Sequence, residues 1–198
     1  MATSKTSTKK KVAAVDLSDV VDTSFDAKVD FAKTSAHDAA DIPDSARINV
    51  KSNVFGTLYF ESKRMGETIE WGRCGEVQTT TLAVLRNMKM EAPRFFKDQW
   101  VIIVGFADSN KDKFEVADIY QALFITQYYK NIVEPSDYAE ICSWSPDEIA
   151  ERVPLMSEGA RENLAVALNT YIEKGVLDSI KAIRAFEKAL GCSLWRKE

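Results

Sequence analysis

From Ala46 the apolar residues alternate with polar ones. "RINVK" places Ile48 and Val50 on one face, "TLYFE" places Leu58 and Phe60 on one face with Tyr59 on the other, and "TIEW" pairs Ile69 with Trp71. This period of two marks short, half-buried strands. "SKRMGE", with Gly66, suits a hairpin loop between the second and third of them. After Trp71 come Gly72-Arg73-Cys74-Gly75 and then "EVQTT", which predict a turn into a further strand. "WVIIVGF", apolar from Trp100 to Val104, predicts the most buried strand of the sheet, with Trp100, Ile102 and Val104 inaccessible.

Between and after the strands the spacing turns helical. Leu82, Leu85, Met88 and Lys89 predict a helix capped by Thr80 or Thr81 and broken near Glu91 by Pro93, with "RFFKDQ" a turn or a second small helix. The methionines and phenylalanines here read as core. Val116, Ile119, Tyr120, Leu123 and Gln127 predict one stripe of a helix ending before Pro135. Ser145, Pro146 and Glu148 spell a capping box. Leu164, Ala167, Leu168 and Ile172 predict the packing face of the next helix, with Gly159 near its start and Gly175 as its cap. Ile180, Ile183, Phe186 and Leu190 predict a last buried stripe stopped by Gly191.

Residues 1–44 differ in kind. They hold eight aspartates, no glycine, tyrosine or tryptophan, and only scattered apolar residues. Alone, such a segment buries too little to offset its ordering entropy, so it predicts an extended or disordered arm. Val15, Leu17, Val20, Val21, Phe25 and Phe31 are its candidate interface residues, spaced too thinly for a core but suited to grooves on another subunit. The expected fold class is α+β: a small antiparallel sheet packed with helices over 45–107 and a helical half over 114–192, in one compact domain over 45–198 preceded by the arm.

Composition narrows the chemistry. The 198 residues are 45% hydrophobic and 28% charged with a formal net charge of −4, which suits a globular protein and makes nucleic acid an unlikely partner, since phosphate neutralisation calls for a basic excess. No run is apolar and long enough for a membrane span, and the start "MATSKTSTKKK" lacks the apolar core of a signal peptide, so synthesis in a host cytoplasm is expected. Cys74, Cys142 and Cys192 are widely spaced, without the pairing of a zinc or redox motif. The single histidine, His37, lies in the polar arm, far in sequence from any partner for nucleophilic catalysis. "GRCG" admits three readings: a turn, a partner contact, or a thiol activated by Arg73. The turn is favoured, because strand patterns flank it and no base accompanies the thiol. Asp108, Asn110 and Asp112 imitate the start of a calcium loop, but Lys113 and Ile119 stand where that loop needs glycine and glutamate. No catalytic residue, metal or cofactor is expected, and the protein is not expected to be an enzyme.

Two blocks carry a resemblance. "GTLYF", "GETIEW", "TTTLAVLRNM" and "PRFFKDQW", within Gly56 to Trp100, together with "IEKGVLDSIKAIRAFEKALG" near the end, resemble small virion structural proteins of tailed bacteriophages. The resemblance covers about a third of the chain and rests on packing residues. It implies a structural protein of the neck, tail or capsid, acting through protein–protein contacts with other virion proteins in a homo- or hetero-oligomeric assembly. The alternative expectation is a cytoplasmic regulatory or adaptor module that binds a protein or nucleic-acid partner through its helical half.

Overall fold

The computed structural model describes residues 29–194, and within them the chain folds as α+β. Five strands form two antiparallel sheets: β1 (Arg47–Ser52), β4 (Val77–Thr81) and β5 (Val101–Phe106) in the order β4-β1-β5, and the hairpin of β2 (Leu58–Glu61) with β3 (Thr68–Trp71). The alternation expected for the hairpin holds residue by residue. Leu58, Phe60, Ile69 and Trp71 are buried while Tyr59, Glu61, Thr68 and Glu70 are exposed. The Trp71 indole N–H donates to the Val50 carbonyl at 2.9 Å, fastening the hairpin to the central strand.

Seven α-helices complete the described chain: α1 (Leu82–Glu91), α2 (Arg94–Lys97), α3 (Val116–Ala122), α4 (Tyr138–Ile141), α5 (Pro146–Arg152), α6 (Glu158–Glu173) and α7 (Ile180–Leu190). Thr81 caps α1 through Val84, and Ser145 and Glu148 form the expected box on α5. Helix α3 is shorter than the stripe to Gln127 suggested. It stops at Leu123, and Phe124 follows with φ +53°.

The chain divides into two compact units rather than one domain over 45–198. Residues 29–136 with 156–163 form the first, and residues 137–155 with 164–194 form the second. In the second, α5 and α7 pack together, with Ile149, Val153, Ala182, Ile183 and Phe186 buried. Ile180, expected in that stripe, is 63% exposed at the first position of α7, and Leu190 is half-buried at its end.

The first unit contains both sheets. Residues 29–44, assigned by composition to the arm, pack on it: Ala39 and Ile42 are buried, and the Ser35 amide N–H donates to the Asp118 carboxylate. Apart from a 3-10 turn at Ala39–Asp41 they form no helix or strand. The first turn of α6 joins this unit by close approach. A Cβ on Gly159 would stand 2.3 Å from the Asp98 carbonyl oxygen and 2.7 Å from the Trp100 ring, so only glycine fits there.

Strand β5 is where the sequence expectation and the structure part most usefully. Val101, Ile102 and Ile103 are fully buried, as expected, while Trp100 and Val104 are half-buried. Yet β5 pairs only with β1 and lies on the edge of its sheet. A buried edge leaves outward N–H and C=O groups without a ladder. Tyrosine hydroxyls supply the partners. The Ile103 N–H donates to the Tyr120 hydroxyl at 2.9 Å, the same hydroxyl donates to the Ile103 carbonyl at 3.1 Å, and Tyr129 donates to the Val101 carbonyl at 2.6 Å. The two rings meet edge to face at 4.8 Å. Burial pushes both hydroxyls above their ordinary value of 10.0, which keeps them neutral donors.

Tyr120→Phe removes the hydroxyl that serves both backbone groups of Ile103 while keeping the ring. It is expected to cost about 2 to 6 kcal/mol, since a buried donor and a buried acceptor are both left unmade at about 1 to 3 kcal/mol each. Denaturant titration measures this. A loss below about 1 kcal/mol would show that the hydroxyl is not what closes this edge.

Candidate protein-contact surface

Of the six arm residues singled out as interface candidates, Val15, Leu17, Val20, Val21 and Phe25 lie outside the described residues. Phe31 lies within them and packs on its own chain, partly buried and edge-on to the Tyr120 ring at 5.2 Å. It supports the ring that closes β5. His37, exposed, tilts against Phe114 at 5.6 Å.

The "GRCG" stretch is a turn that passes the chain from the hairpin to the three-stranded sheet. The Gly72 N–H donates to the Glu76 carboxylate at 2.7 Å, and the Gly75 N–H donates to the Ser52 carbonyl at 2.8 Å from a backbone with φ +85°. The Cys74 thiol is buried, 3.9 Å from that same carbonyl oxygen. The calcium-like aspartate, Asp108, caps the 3-10 turn Ser109–Asp112 and accepts from the Asn110 and Arg47 amides at 3.0 and 2.7 Å. Burial alone would raise its carboxyl, but these amides outweigh that and hold it below its ordinary value.

Several buried polar side chains of the first unit are engaged in holding loops. Lys51 and Glu134 form an ion pair at 2.7 Å with both side chains 1% exposed. Asn53 donates to the carbonyls of Gln99 and Val133 and accepts, at its own carbonyl, from Asn163. The Gln99 side chain donates to the Tyr128 carbonyl at 2.6 Å and accepts from Ser157 at 3.3 Å. Gln99 takes φ +57° to do so, a conformation that costs about 1 kcal/mol or more outside glycine. These contacts hold β1, β5 and the first turn of α6 in register.

Two of the grooves among the described residues of this unit bear on contacts. One, of about 520 Å³, separates β3 from β4 and is walled by polar side chains such as Thr68, Glu70 and Thr79. The other, of about 380 Å³, runs along the outer face of α1 past Ala83, Arg86 and Met90, with Asp44, Arg64 and Met65 opposite. Of these two, the second exposes large apolar side chains. Met90 is 71% exposed and Met65 is 42% exposed, whereas the methionines of this region were expected in the core. Met88 does lie there. Two helical positions apart means about 200° of rotation, so Met90 faces away from the Leu82, Leu85 and Met88 stripe. That rotation was available in the sequence as the signal of an outward methionine.

The far wall of this groove is fixed by α1 itself. The Glu91 carboxylate accepts from the Lys63 and Arg64 amides at 3.0 and 3.1 Å, and Asn87 donates to Ser62 at 2.5 Å and to Glu91 at 3.1 Å. The hairpin loop that carries Arg64 and Met65 is thereby tied to the end of α1. Beyond it, the Lys89 ammonium stands over the exposed Phe124 ring at 5.3 Å from its centre. Arg64 and Arg86 thus line the groove as cations, with Arg86 paired to Asp44.

Burial would raise the Glu91 carboxyl, but the Lys63 amide, Asn87 and the Arg64 amide outweigh it and hold it below its ordinary value of 4.5. A depressed folded-state value means that the anchoring is complete above that ordinary value and is lost as pH falls through the depressed one. The amide signals of Lys63 and Arg64 are therefore expected to titrate in NMR spectra with a midpoint below 4.5, and Glu91→Gln is expected to abolish that titration. A midpoint at or above the ordinary value would contradict the anchoring. Comparison of the chain with family models, with characterised proteins and with solved structures finds no match.

Proposed function

We propose that this protein is a non-enzymatic structural component of a tailed-phage virion, acting through contacts between its N-terminal arm and a neighbouring subunit. The observation that carries the reading is the outward methionine-lined face of α1. It belongs to the Gly56 to Trp100 block that resembles virion proteins, and that block is otherwise inward-looking: Leu58, Phe60, Ile69, Trp71, Leu82, Leu85 and Phe96 are all buried. What such a block shares with a relative is a rigid frame, and what it offers outward is an apolar surface of the kind that marks a contact site. The buried polar groups support the same reading, since each named above is engaged in holding a loop or a strand. An arm with sparse apolar residues complements this frame, because it gains order by lying on a partner.

Since residues 29–44 pack on the first unit, the deletion that tests the arm ends at residue 28. Removing residues 1–28 is expected to leave the thermal midpoint within about 3 °C, no more than the shift of roughly a 1 kcal/mol loss in a domain of this size, and to abolish incorporation into particles, scored by mass spectrometry of purified virions. Normal incorporation of the truncated chain would overturn the proposal.

A further inference from the structure

The groove along α1 has apolar surface in its floor and cations on its border, and the same chain contains a segment with the opposite character. Read at about 100° per residue, Leu17, Val20, Val21 and Phe25 fall on one face of residues 16–26, and Asp19, Asp22 and Asp26 fall on the other, with Asp16 at the flank. We infer that this acidic amphipathic segment of a second copy docks in the α1 groove, its apolar face on Ala83, Met65 and Met90 and its aspartates toward Arg64 and Arg86. The inference rests on the reading of the arm as an assembly element and names the surface that receives it.

Three observations carry it. The first is charge: Arg64 and Arg86 line the groove against Asp44, and the nearby Glu91 carboxylate is occupied by the hairpin loop amides. The second is size. From Ala83 to Met90 the helix presents about 10 Å at 1.5 Å per residue, which matches two to three turns of an incoming helix that carries Leu17, Val21 and Phe25 on one face. The third is the tether. Asp26 is three residues from Val29, a span of at most about 10 Å, and Val29 lies beside Val116 at the start of α3. None of the residues lining the groove is among those around Val29. A tether this short restricts where the segment can dock on its own chain, whereas a neighbour's groove imposes no such limit. Burial of the methionines with Leu17, Val21 and Phe25 supplies the apolar contact, and the flexible methionine side chains adapt to it.

The test uses full-length chains in a Cys192→Ser background, since Cys192 is exposed while Cys74 and Cys142 are buried. One chain carries Val21→Cys and a differently tagged chain carries Met90→Cys, and the two are mixed under mild oxidation. A cross-link between the tagged copies is expected, at least tenfold stronger than with Asp19→Cys on the opposite face. Equal trapping at both positions, or no cross-link, overturns the proposal. So does a cross-link that forms only within a single chain carrying both cysteines, which would place the segment on its own groove. In parallel, Met90→Asp is expected to weaken self-association at least tenfold in sedimentation equilibrium, while Met90→Leu stays within twofold of the parent. If Met90→Asp associates normally although deletion of residues 1–28 abolishes incorporation, the groove is wrong and the assembly reading stands. If the deletion leaves incorporation intact, the assembly reading itself fails.

Discussion

A strand that is buried on both faces but paired on only one side must find partners for its outward backbone groups, and the first unit is organised around meeting that demand at β5. Tyr120 and Tyr129 meet it with hydroxyls in place of a fourth strand. The consequences spread outward. Helix α3 must run beside β5 so that Tyr120 reaches Ile103, and the chain must turn sharply after Leu123 so that Tyr129 reaches Val101. Phe124 takes φ +53° within that turn. Phe31 then covers the Tyr120 ring, which draws residues 29–44 onto the unit. A hydroxyl that both accepts and donates can satisfy an amide and a carbonyl of one residue, so one side chain ends the sheet without offering an edge for aggregation.

The second constraint is polar and lies at the C-terminal end of β1, next to the stretch of β5 that the tyrosines close. Lys51 with Glu134, and Asn53 with Gln99 and Asn163, tie the loop after α3 and the first turn of α6 to the sheet. Breaking one partner of such a buried pair leaves the other without compensation, which costs about 3 to 5 kcal/mol, although the pair itself adds less than an apolar replacement would. These groups fix one arrangement of loops rather than maximise stability. Separately, Glu91 and Asn87 hold the hairpin loop at the end of α1.

The parts of this architecture that repeat were legible in the sequence. The period-two strands, the Thr81 and Ser145 caps and the turn at Gly75 all follow from local chemistry, and the structure places them where the pattern does. What was not legible depends on neighbours distant in sequence. Nothing local in "WVIIVGF" distinguishes a central strand from an edge strand closed by tyrosines some twenty residues later. The same holds for Ile180, whose apolar character fits the α7 stripe but whose place at the first helical position leaves it exposed. Residues 29–44 read as arm because their apolar content is thin, and they pack because a few residues, Phe31, Ala39 and Ile42, meet surfaces made by α3 and the strands. The candidate surface was half legible. Met90 is out of phase with the core stripe of α1, but its pairing with Met65 required the hairpin loop to be tied back by Glu91.

The central claim is that an arm and a methionine-lined groove are complementary halves of one contact between copies in a particle. Hydrogen–deuterium exchange on the full-length chain, free and assembled into virions, tests it most directly. Residues 16–26 and the amides around Met65 and Met90 are expected to gain protection together on assembly, while Ile103 beneath Tyr120 is equally protected in both states. Protection of residues 16–26 that is already complete in the free chain, or that appears on assembly without any change around Met65 and Met90, would contradict the account.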